Sequence, residues 1–140
     1  MNSLEAMEIR EYPMVIYARL GQGNLVYAEF RHAVSVDLAT AKAIVASRLE
    51  FTQNKMHLLV ADMSLVKHMT TEAKEYMQRA DGGLKNIVAA ALIASNPLAA
   101  LIANIFVKGP KEFPARFFSR KEDAIQWILA LQPETTDLKS

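Results

Sequence analysis

At 140 residues and 15.6 kDa, the chain suits one compact domain and excludes two ordinary ones. Hydrophobic residues at 51% against charged residues at 22% disfavour disorder and coiled coil. Sixteen basic against fifteen acidic side chains, net +1, argue against a nucleic-acid partner, and the lack of cysteine excludes a disulfide frame, a thiolate zinc site and a cysteine nucleophile.

In chain order, Tyr12 to Leu20 is rich in Val, Ile and Tyr and predicts a strand. Gly21-Gln22-Gly23-Asn24 is a turn, and Leu25 to Phe30 alternates as the second strand of a hairpin. Asp37 is the expected N-cap of a helix whose stripe is Leu38, Ala41, Val45 and Leu49. Thr52 to Lys55 breaks the chain before a short apolar strand, Met56 to Ala61, that ends at Asp62. Residues 62–69 read as a loop, after which Thr70 or Thr71 caps a short helix through Met77, stopped by Asp81-Gly82-Gly83.

Residues 86–107 carry no charge, long enough for a membrane helix. Ser95-Asn96-Pro97 near the middle instead splits the stretch into a buried strand, 87–94, and a helix capped by Asn96 with Pro97 at its first position. No membrane span is therefore expected, and the mixed charges of the N-terminus point to a cytoplasmic protein. Gly109-Pro110 stops that helix, Ala115 to Phe118 is a last strand, and Ser119-Arg120-Lys121-Glu122 matches a capping box. The final helix would turn Ala124, Ile125, Ile128 and Leu129 inward and fray after Gln132-Pro133. Helices alternating with apolar strands predict an α/β domain: a mixed, largely parallel sheet with an N-terminal antiparallel hairpin, flanked by about four helices.

Chemistry-bearing residues are sparse. His32, His57 and His68 lack metal-ligand spacing, and His57, inside a strand, reads as structural. His68 follows a strand's C-terminal end, where open α/β sheets bind ligands. No nucleophile elbow, phosphate loop or dinucleotide fingerprint occurs, so no cofactor is expected. Asp62, Glu72 and Glu75 cluster in sequence, but Glu72 in a first helical turn is explained by the helix dipole. Lys108, Lys111, Arg116, Arg120 and Lys121 form a mild basic concentration, and Met56, Met63, Met69 and Met77 bracket one strand, loop and helix.

Taken in order, the strand ending at Asp62, the hydroxyl-capped helix and the closing FFSRKEDAIQWIL (117–129) resemble the SpoIIAA-like branch of the STAS superfamily. The closest resemblance is to an uncharacterised bacterial group of small single-domain STAS-like (CRAL-TRIO-like) proteins. It is carried by TTEAKEYM (70–77), AALIASNPL (90–98), PARFF (114–118) and EDAIQWI (122–128) and spans about residues 12–131. The resemblance implies a mixed sheet flanked by helices and a protein partner, a kinase that phosphorylates a serine at a helix N-terminus. The register of that Asp-Ser-Ser-Gly-like motif falls on Thr70, Thr71, Glu72 and Ala73, with Glu72 at the acceptor and Thr71 beside it.

The resemblance makes a non-catalytic regulatory or protein-interaction module the leading expectation, docking through loop 62–69 and helix 70–78 with Thr70, Thr71 and Lys74 exposed. An alternative is a lipid-like or anionic small ligand beneath helix 97–107, with Lys108, Lys111 and Arg116 as a basic rim. A third is an enzyme using Asp62 and His68. A homodimer is expected from the sheet edge that the hairpin Tyr12 to Phe30 leaves open.

Overall fold

The computed structural model describes residues 6–21 and 23–139; Gln22 of the expected hairpin turn lies outside them. In chain order the elements are β1 (Ala6–Glu11), β2 (Val15–Leu20), β3 (Leu25–Phe30), β4 (Val34–Val36), α1 (Leu38–Phe51), β5 (His57–Asp62), β6 (Val66–Met69), α2 (Thr71–Met77), β7 (Ile87–Ile93), α3 (Pro97–Lys108), β8 (Ala115–Phe118) and α4 (Lys121–Lys139). Six strands form one sheet in the order β1-β2-β3-β5-β7-β8. The pairs β1–β2 and β2–β3 are antiparallel, and β3–β5, β5–β7 and β7–β8 are parallel. The mixed, largely parallel sheet with an N-terminal hairpin and four helices is the architecture expected from periodicity.

Alternation places the core on both faces of this sheet. Tyr27, Leu58, Val60, Ala89 and Ala91 face α4, whose Ala124, Ile125 and Ile128 close over them. The opposite face carries Tyr17, Val26, Ala28, Leu59 and Ala90 under Phe51 of α1. Further along that face Leu92 meets Ala73 of α2 and Ala99, Ile102, Ala103 and Phe106 of α3. Strand β7 is covered on both sides, which explains its unbroken apolar sequence. Asp37 caps α1, its Oδ1 accepting from Thr40 N at 2.8 Å, and Asn96 with Pro97 opens α3.

The structure corrects several boundaries. Tyr12 lies in the turn before β2, and β1 precedes it, so the hairpin's edge is covered by the chain's own first described strand. Within the expected loop 62–69, Val66–Met69 forms β6 and pairs in parallel with β4 as a separate two-stranded sheet. Met56 precedes its strand and is 52% exposed. On α1 the buried positions are Ala41, Val45, Arg48 and Phe51, so the stripe passes through Arg48 where Leu49 was expected. The first turn of α4 bonds Ala124 N to Arg120 O, which puts Arg120 at the cap position instead of Ser119. That helix continues past Pro133 to Lys139.

His57 opens β5 with 1% of its surface exposed. Its Nδ1 lies 2.9 Å from Lys55 O, which assigns the proton to Nδ1, and Nε2 is buried without a partner. Burial pushes the imidazole pKa down to about 4, opposed by the Lys55 bond and reinforced by the Arg48 charge. Between about pH 6.5 and 4 the unfolded chain binds a proton that the folded chain refuses, so stability falls as pH falls. Denaturant titrations are expected to lose on the order of 3 kcal/mol across that window, in excess of the loss from carboxylates. His57→Gln should flatten the slope, and an unchanged slope would show that His57 is not its source.

Candidate functional site

At the C-terminal end of the parallel strands, Asp62 ends β5 and its Oδ1 accepts from Ser64 N at 2.9 Å. Across the sheet it pairs in register with Glu29, whose Oε1 accepts from the Tyr27 hydroxyl at 2.9 Å. Burial, that bond and the charges of Glu29 and Asp62 all raise the Tyr27 pKa, so this hydroxyl stays protonated. The turn after Asp62 is clasped to the start of α3. Ser64 Oγ accepts from Ser95 N at 3.0 Å and shares a hydrogen bond with Ser95 Oγ at 2.8 Å. Asn96 Nδ2 donates to Ser64 O at 2.8 Å, while its Oδ1 accepts from Ala99 N at 2.9 Å.

The expected site residues are only partly gathered. Thr70 caps α2, its Oγ1 accepting from Ala73 N at 3.1 Å, and it is half-buried like Lys74. Both were expected to be exposed. Thr71 and Glu72 are exposed in the first turn. His68 is exposed on β6, paired in register with Ser35, and among the described residues no hydrogen bond links it to Asp62. Lys108 is exposed at the end of α3. Arg116 is exposed on β8 with its guanidinium 5.0 Å from the Phe118 ring and 5.8 Å from that of Trp127, a cation–π seat that accounts for it. Among the described residues no group of three His, Asp or Glu could hold a metal.

A cavity of about 120 Å³ lies between the sheet and the helices. Its wall is mostly apolar, including Leu59, Leu92 and Phe106 and three of the four methionines noted in the sequence, Met63, Met69 and Met77. Of the expected basic rim only Lys111 reaches it. The Lys111 ammonium donates to Val107 O at 3.0 Å and to Gly109 O, and burial lowers its pKa. The residue missed from sequence is Arg48, also in the wall and 3% exposed. Its Nη1 donates to Gly83 O at 3.1 Å and its Nη2 to Lys85 O at 2.8 Å. Nε has no partner, and burial lowers the guanidinium pKa. The signal was available: Ala41, Val45 and Arg48 follow the four-then-three spacing of one helical face.

The family model for a domain of unknown function, DUF7793, matches residues 20–132, and the chain belongs to that family. No curated protein matches it. Among solved structures the chain is similar to an uncharacterised protein of the DUF3478 family with a SpoIIAA-like fold from Shewanella loihica PV-4. The two share 16% identity over 86% of this chain and 90% of that one, with a TM-score of 0.48.

Asn96 holds both the first turn of α3 and the Ser64 turn. Asn96→Ala is expected to cost about 1–2 kcal/mol, read as a lower denaturation midpoint at unchanged m-value. An unchanged midpoint would show that the clasp contributes nothing.

Proposed function

We propose that this DUF7793 domain is a non-catalytic regulatory module that docks a protein partner through the outer face of α3 and the turn joined to it. The observation that carries this reading is α3 itself, PLAALIANIFVK (97–108), which is apolar nearly all the way round. Ala99, Ile102, Ala103 and Phe106 are buried, yet Leu98 and Leu101, three residues apart on the opposite side, are 44% and 64% exposed. Leu65, on the turn bonded to the start of α3, is 39% exposed. A helix apolar on both sides is ordinarily covered on both, and clustered exposed leucines mark interaction surfaces. Thr71 and Glu72, exposed at the start of α2, belong to the docking face expected from sequence and form a separate patch for the same test.

A second reading, small-ligand binding, is favoured by the cavity between the sheet and the helices, to which α3 contributes Phe106. At about 120 Å³ it falls below the roughly 300–1,000 Å³ of drug-sized sites, so it suits a small molecule and not an acyl chain. A homodimer is also proposed, now through β1 and not the hairpin. Among the described residues the outer edge of β1 is unpaired, and Met7 and Ile9 are 54% and 62% exposed.

The docking reading is tested with Leu98→Glu/Leu101→Glu, which leaves the buried face of α3 intact. A partner captured by the wild-type chain, once purified, should bind this variant at least about tenfold more weakly at unchanged thermal midpoint. Equal affinity for this variant and for Thr71→Lys/Lys74→Glu would refute the face. For the dimer, sedimentation should give two copies, reduced to one by Ile9→Lys; a wild-type monomer at high concentration would overturn it.

A further inference from the structure

Arg48 is a buried cation that the fold only half satisfies. Its two terminal nitrogens are spent on the carbonyls of Gly83 and Lys85, while Nε–H has no acceptor among the described residues. Every ion pair found among the described residues lies elsewhere. A buried charge without a counter-ion is costly, and carbonyl dipoles offset only part of that cost. Glu29 and Asp62 border the cavity at the opposite end of the strands, but strand alternation turns their side chains to the α4 face, where Glu29 accepts from Tyr27, so neither serves Arg48 as a counter-ion. Gly83 and Lys85 precede the start of β7, which is in register with the start of β5, whereas Asp62 ends β5, roughly 16 Å further on at the rise of a strand. Lys111, ahead of β8, adds a second cation at the Arg48 end. The cavity is thus apolar along most of its wall and cationic at the Arg48 end.

We propose that this cavity binds a small monocarboxylic acid, with its carboxylate on the Nε–H of Arg48 and its apolar body against Leu59, Leu92 and Phe106. The inference rests on the small-ligand reading above and is independent of the docking face. A cavity of roughly 150 Å³ with apolar walls accepts benzene, so about 120 Å³ sets the size below a substituted ring, at a short branched chain. One free N–H beside an apolar wall suits a carboxylate with an apolar body better than a phosphate, which demands several donors.

The test uses the full chain with isobutyrate, isobutanol (the neutral molecule of the same shape) and inorganic phosphate as probes, followed by calorimetry and thermal shift. Isobutyrate is expected to bind at least about tenfold tighter than isobutanol, the range of a charge-assisted hydrogen bond, and phosphate is expected not to compete. Arg48→Gln should erase the isobutyrate advantage while leaving isobutanol unchanged. Because Arg48 also ties Gly83 and Lys85, a second variant, Ala90→Leu, fills the cavity with Arg48 in place and should abolish both ligands. Equal binding of isobutyrate and isobutanol would overturn the carboxylate and spare the cavity. Binding of neither would overturn both, and isobutyrate binding that survives Ala90→Leu or yields to phosphate would place the anion on surface cations instead.

Discussion

Double-sided burial of the parallel strands β3, β5 and β7 is the constraint on which the remaining structure depends. A parallel pair cannot be closed by a tight turn, so each step across the sheet requires a crossover. Here α1 follows β3, α2 follows β5 and α3 follows β7. All three contribute to the core on one face, which leaves the other to α4 alone. The single helix suffices there because the strands narrow toward it: Ala89 and Ala91 are small, so Ala124 and Ile128 approach until both are fully buried. The crowded face has three helices and a two-stranded ribbon to accommodate, and the cavity lies in that layer.

The polar groups of this layer are settled at its ends and not in its middle. Tyr17 reaches α1 with its hydroxyl, 3.0 Å from Ile44 O and 2.9 Å from Ser47 Oγ, and burial holds its pKa up to about 12. Its ring stacks on Phe51 at 5.5 Å. Arg48, one residue along from Ser47, fastens the segment before β7, where a Cβ on Gly83 would collide with the backbone of Met77. The end of α1, the end of α2 and the start of β7 are therefore held by side-chain-to-backbone bonds across more than thirty residues of chain.

Legibility in the sequence followed the strength of local signals. Asp37 and Asn96-Pro97 announce their helices through chemistry that acts within three residues, and β3, β5 and β7 carry enough apolar residues to be read alone. Strands β4 and β6 have three and four residues, too few to show a period, and each exists only because the other is present. Strand β1 is exposed along nearly its whole length, so its brief alternation, Met7 and Ile9 against Glu8 and Arg10, buries no face, and its mixed charges resemble a tail. Arg48 escaped because a charged side chain on an apolar stripe reads as the edge of the stripe. Its burial depends on two carbonyls 35 and 37 positions away, which no local pattern contains. The exposed leucines of α3 were visible as letters, but which side of the helix meets the sheet is decided by tertiary packing.

The two borders of the main sheet are unlike. One is β1, six residues long with apolar side chains in solvent. The other is β8, four residues long, introduced by Pro114 with no N–H to offer and bearing the charged Arg116. A sheet able to recruit strands at both borders could extend without limit, copy upon copy. A strand at the longer border that pairs with its own counterpart about a two-fold axis would use up that site of growth. Pairing of that kind, if confined to the β1 border, would close at two copies instead of growing into a ribbon.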